Sequence, residues 1–167
     1  NMHTSTSPQY SIIGSLDVAR RQAMMEGYKL LERTLELAAE LRKAIDATGV
    51  FHALTLKELL PVEVRKDGIR LDPTKVTMDI TGSGYTVEDF QRVLFDRFNI
   101  QVEKSTFNTV TLLLTIGTTR SKVSRLCDAL ARLAREAKAP RRMLRAPEIA
   151  EFTELCFLPR DAFYCSG

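Results

Sequence analysis

The feature that most constrains this chain is a helical pattern running unbroken over residues 15–47. That is about nine turns, where most helices have three or four. Leu31, Leu35, Ala38, Leu41 and Ile45 recur at spacings of three and four, and predict one buried stripe. Glu32, Arg33, Glu36, Glu40, Arg42 and Lys43 fill the other faces. Gly27 either bends the helix or admits a close neighbour, and Gly49 supplies the stop. The Met24–Met25 pair reads as packing.

After the helix the pattern changes character. "VFHAL" is short and apolar enough for a strand, and Asp67–Gly68 and Asp72–Pro73 signal turns. "TKVTMDI" alternates and is rich in β-branched residues, with Val76, Met78 and Ile80 on one face. "GSG" at residues 82–84 is too short for a phosphate-binding fingerprint and reads as a loop. Thr86 then opens a second helix as N-cap, with Asp89 at the capping-box distance. Its buried stripe is Val87, Phe90, Val93, Leu94 and Phe98.

Two strands follow, "IQVEKS" and "TFNTVTLLLTIG", joined by a polar turn over residues 105–108. The second is almost continuously apolar over residues 110–116 and is therefore expected in the middle of a sheet. A third helix spans residues 119–137, with Val123, Leu126, Cys127, Leu130 and Leu133 or Ala134 inward. Pro140 and Pro147 end the regular structure. The predicted fold is an α+β sandwich of the α/β type, a mixed sheet with helices packed on one face, preceded by the long helix.

At 167 residues the chain can build one real core. No apolar run approaches a membrane span, no signal peptide is recognisable, and no membrane partner is expected. A net charge of +3 is too small to argue for a polyanion. The basic run over residues 132–145 (Arg132, Arg135, Lys138, Arg141, Arg142, Arg145 against Glu136) has no interleaved aromatics and reads as a solvated face, so no nucleic acid is expected. Cys127, Cys156 and Cys165 form no C-x-x-C pair, and with His3 and His52 they make no metal set. They suit a reducing compartment, by default the cytoplasm. His52, beside Phe51 in an apolar strand, reads as a satisfied, partly buried histidine.

No nucleophile elbow, P-loop or H-E-x-x-H motif is present, and no catalytic residue is assigned. Two features stand apart from packing. The first is "HTSTSPQY", where Thr4, Ser5, Thr6 and Ser7 put four hydroxyls in a row before a helix. They suit either a phosphate or a capped turn. The second is Glu103 in "VEKS", near a strand end. It is either a solvated charge or a partner for an ammonium or guanidinium group.

"HTSTSPQYSIIGSLDVA", "LDPTKVT", "VEKS" and "LLTIGTT", in this order and with these separations, resemble the bacterial ornithine/lysine/arginine decarboxylases. The resemblance runs from His3 to about Tyr164. It implies a pyridoxal 5'-phosphate enzyme of the aspartate-aminotransferase fold type, acting as a homodimer or larger homo-oligomer on a basic amino acid. It also implies that the chain is an internal segment. Residues 1–14 would end the cofactor-binding domain, 15–48 form the connecting helix, 49–139 the small domain, and 140–167 a linker to a further domain. Ser5, supported by Thr4 and Thr6, matches the hydroxyl that reaches the cofactor phosphate across the dimer interface. Glu103 matches the carboxylate at the distal charged end of the substrate. The lysine that forms the Schiff base lies upstream in that family, so the segment alone is expected to be inactive. The alternative is a non-catalytic regulatory or dimerisation domain derived from the same fold.

Overall fold

The computed structural model describes residues 9–140 together with residues 158, 163 and 164. The long pattern is one helix, α1, Tyr10–Ala47. Thr48 caps it, and Gly49 turns the chain at a φ of 66°, in the left-handed region that the predicted stop requires. There follow β1 (His52–Ala53), the one-turn helix α2 (Leu56–Leu59), a 3-10 turn (Val62–Val64) and β2 (Lys75–Asp79). After a second 3-10 turn (Thr81–Ser83) come α3 (Val87–Phe98), β3 (Lys104–Ser105), β4 (Thr109–Leu113) and α4 (Arg120–Arg135). The predicted N-cap at Thr86 holds, without the reciprocal side-chain bond from Asp89, and α4 is capped in the same way. The Thr86 hydroxyl accepts from the Asp89 N–H at 2.9 Å, and Thr119 caps α4 through the Lys122 N–H.

The four strands form one sheet in the order β1-β2-β4-β3, so β4 is central as its apolar run predicts. Val76, Met78, Val110 and Leu112 face the helices and are buried. Thr77, Asp79, Thr109 and Thr111 alternate with them and stay half-exposed on the other face. On the buried face, α1 packs on β1 and β2, and α4 packs against both α1 and α3.

The expectation of a mixed sheet is corrected: every neighbouring pair is antiparallel. The reason is the connection. β2 crosses over through α3 to β3, which runs in the same direction as β2, and β4 then folds back into the gap between them.

The stripe predicted on α1 is also corrected in part. Ala38, Leu41 and Ile45 are buried, but the residues that complete the buried face are Thr34 and Leu37. Leu31 and Leu35 are 52% and 44% exposed on a neighbouring face. Thr34 belongs inside because its hydroxyl donates to the Leu30 carbonyl at 2.8 Å.

The glycines of "GSG" serve close packing. A Cβ on Gly82 would sit 2.2 Å from the Val50 carbonyl oxygen, and one on Gly84 would meet Lys138 and Ala139. This is where the turn after α1 and the end of α4 converge on the 3-10 turn. Ser83 between them is buried, its hydroxyl bonded to the Ile80 carbonyl and its own carbonyl to the Lys138 N–H. No helix among the described residues is long and apolar enough to cross a membrane.

Candidate functional site

Glu103 sits where β3 loses its regular pairing. The hairpin is closed by the Thr106 N–H on the Thr109 carbonyl at 2.9 Å, and the two threonine hydroxyls lie 2.7 Å apart. Lys104 pairs with Thr111, and the Glu103 N–H donates to the same Thr111 carbonyl at 2.9 Å. Two residues thus oppose one, the arrangement of a β-bulge, which breaks the alternation and re-aims the side chain at its first position. The Glu103 side chain is exposed, and its carboxylate makes no hydrogen bond or ion pair with any described residue.

Glu103 borders a groove of about 350 Å³ with Gln101, Val102 and Leu113. Gln101 and Leu113 also line an adjoining cavity of about 290 Å³, walled by Leu41, Ile100, Leu112 and Leu126, with Lys122 and Arg125 at its rim. Among the described residues, Glu103 is the one carboxylate bordering either space. An unpaired carboxylate beside aliphatic walls has the chemistry to take a cation carried on a hydrocarbon stem.

The other predicted positions divide. His3, Thr4, Ser5, Thr6 and Ser7 lie outside the described residues, as do Arg141, Arg142, Arg145, Pro147, Cys156 and Cys165. Cys127 is a half-buried free thiol, its pKa raised by burial first and by the nearby Asp128 and Glu40 second. Arg97 and Glu136 form a two-pronged ion pair at 2.6 and 2.7 Å, so the one acid of the basic run is held by an arginine of α3.

His52 is satisfied, as expected, but it is not shielded. β1 is a two-residue edge strand that turns Ala53 inward and His52 out to a side chain 51% exposed. The ring lies between Asp46 and Glu58. Sequence reading passed over this trio, although Thr55 and Glu58 have the spacing of a capping box, which they form. Gln101 and Leu113 were also missed, since the bulge that brings them to Glu103 erases the alternation that would reveal them.

The Orn/Lys/Arg decarboxylase major-domain family matches residues 1–122, nearly three quarters of the chain. The chain belongs to that family. It is 34% identical over 166 residues to an arginine decarboxylase of Bacillus cereus and 32% identical over 168 residues to an arginine decarboxylase of Bacillus subtilis. These alignments cover 98% and 99% of this chain but only 35% and 34% of the relatives. The chain therefore spans about a third of their length.

Solved structures agree. The constitutive lysine decarboxylase of E. coli matches 80% of this chain with a TM-score of 0.59 and 26% identity. The Francisella novicida lysine decarboxylase LdcF matches 80% with a TM-score of 0.60 and 26% identity. Each match covers 23% of the longer protein. An α/β small domain is thus shared with members of the decarboxylase family.

Proposed function

We propose that this chain is the part of a pyridoxal-phosphate-dependent decarboxylase that meets the distal charge of a basic amino acid, arginine, lysine or ornithine. The observation that carries the reading is the unpaired Glu103 carboxylate, set on a bulge beside a groove that shares Gln101 and Leu113 with the leucine-walled cavity next to it, in a chain of this family. In the reaction, the bond from Cα to the carboxylate breaks, carbon dioxide leaves, and a proton takes its place at Cα. The product is the corresponding amine, a precursor of the polyamine type. Bound pyridoxal phosphate supplies the sink for the electron pair that the departing carbon dioxide leaves behind.

The chain's own contributions are at the two ends of that chemistry. Glu103 accepts charge-assisted hydrogen bonds from the substrate's ammonium or guanidinium and so sets which amino acids are held. The hydroxyl of Ser5, with Thr4 and Thr6 beside it, has the donor chemistry for the cofactor phosphate. The described residues do not fit the aldehyde end of the cofactor. Every described lysine is exposed, whereas a lysine held neutral for that bond needs a desolvated setting. No step is assigned to any of them.

This reading makes the 167-residue segment inactive alone and the longer protein a cytoplasmic homodimer or larger homo-oligomer. The free Cys127 thiol is consistent with a reducing compartment. The test is carbon dioxide release from arginine, lysine and ornithine with added pyridoxal phosphate, by the longer protein and by the 167-residue chain. Activity is expected from the longer protein alone, and the short chain is expected to show no borohydride-reducible cofactor band. A longer protein that decarboxylates none of the three would overturn the proposal.

A further inference from the structure

β1 and β2 are joined by an excursion over residues 54–74 that leaves the sheet edge and returns to it. It carries α2 and the Val62–Val64 turn and is exposed throughout residues 65–70. Arg65 ties it to itself by donating to the Lys57 carbonyl at 2.6 Å and the Leu60 carbonyl at 3.3 Å. At its root, Arg42 of α1 donates to the Leu54 carbonyl at 3.4 Å and the Lys75 carbonyl at 2.9 Å. His52 stands beside that root.

Both ring nitrogens of His52 face carboxylates. Nδ1 lies 3.0 Å from Asp46 Oδ1 at the end of α1, and Nε2 lies 2.9 Å from Glu58 Oε1 in α2. The same Asp46 oxygen accepts the Ala53 N–H at 2.9 Å. The other Glu58 oxygen accepts the Thr55 N–H at 2.7 Å and the Thr55 hydroxyl at 2.6 Å. Ionised carboxylates only accept, so both contacts require an N–H on each ring nitrogen. Imidazolium has two; neutral imidazole has one. Losing the proton leaves a ring lone pair pointed at a carboxylate oxygen.

We propose that His52 is a proton-operated clip: as imidazolium it fastens α2, and with it the root of the 54–74 excursion, to the end of α1, and as neutral imidazole it lets one side go. The charges around the ring favour the closed form. Asp46 comes from α1, Glu58 from α2, and Asp79 is the cross-strand partner of His52 on β2, with one oxygen taken by the Thr81 N–H. The cations nearest in the chain are Lys57, Lys43 and Arg42, the last turned to the two backbone carbonyls.

The His52 pKa is raised above its ordinary 6.5, chiefly by the Glu58 hydrogen bond, which burial partly offsets, and then by the Asp46 hydrogen bond and the two carboxylate charges. Glu58 is held down at about 2, by the Thr55 hydroxyl and amide first and by His52 after them. A raised histidine pKa means the clip contributes fully below pH 6.5 and fades as pH rises through the folded-state value. Glu58 stays ionised across that whole range. When the ring lets go, the capping box remains, but a single helical turn cut from its anchor frays.

The clip is half-exposed, so its effect is modest, about two- to fivefold in local opening. The test is amide hydrogen exchange across residues 54–74 of the 167-residue chain at pH 5.5 and 8.5, corrected for intrinsic rates, with a parallel NMR titration of the His52 ring. Protection at Leu59 and Leu60, whose amides bond the Thr55 and Leu56 carbonyls, is expected to fall about two- to fivefold at the higher pH. His52→Gln is expected to show the lower protection at both pH values. Equal wild-type protection at the two pH values would overturn the proposal, as would a pH difference that survives in His52→Gln. If the variant fails to fold, the wild-type titration still decides: a ring that titrates at or below 6.5 contradicts the clip.

Discussion

The two ends of α1 are one helix under two regimes. It is 38 residues long, about 57 Å at 1.5 Å per residue. Over its last turns Thr34, Leu37, Ala38, Leu41 and Ile45 are buried against the sheet and α4. Over its first turns Tyr10, Ile12, Ile13, Leu16, Val18, Met24, Met25 and Tyr28 are each more than half exposed. Local interactions there are sparse, such as the exposed Asp17–Arg20 pair at 2.8 Å, which is worth a few tenths of a kcal/mol at most. Helix stability in proteins comes mainly from the packed face, so the two ends respond differently to the same kind of change.

The sharpest contrast is expected from Leu41→Ala. Leu41 is wholly buried, and truncating it removes apolar contact and leaves a cavity. Urea unfolding of the chain should show a loss of about 2–5 kcal/mol. A loss under 1 kcal/mol would mean that α1 is not part of the core. At the other end, replacing Tyr10 and Tyr28 together with serine should change stability by no more than about 0.5 kcal/mol, since both side chains are four-fifths or more in water. A cost approaching that of Leu41→Ala would break the comparison, because something would then have to cover the first turns.

Leu31 and Leu35 also mark the limit of what the sequence makes legible. Their spacing with Ala38, Leu41 and Ile45 fits one stripe, but a helix can carry two apolar faces side by side. Periodicity identifies a face; it does not say which face finds a partner. The same boundary appears in the sheet. Alternation over Val76, Met78 and Ile80 and the apolar run of β4 placed both strands correctly, because half-buried and fully buried strands leave different patterns. The antiparallel pairing did not show, because it depends on which gap β4 fills after the crossover.

For the candidate site, the residue type and neighbourhood of Glu103 were readable, and family resemblance singled it out. Its bulge and its groove partners were not, since a bulge adds a residue without any change of composition. The trio of Asp46, His52 and Glu58 is assembled from three elements six residues apart, and only the Thr55–Glu58 cap within it has a sequence signature.

The most direct test of the central claim is steady-state decarboxylation by the longer protein carrying Glu103→Gln. Gln keeps the shape and removes the charge, so the lost interaction is that between the carboxylate and the distal substrate cation. A charge-assisted hydrogen bond of about 1.5–3 kcal/mol corresponds to a roughly ten- to hundredfold fall in kcat/KM for the preferred basic amino acid, with the visible band of the bound cofactor unchanged. A kcat/KM within twofold of the unaltered enzyme would contradict the account and leave Glu103 a solvated charge.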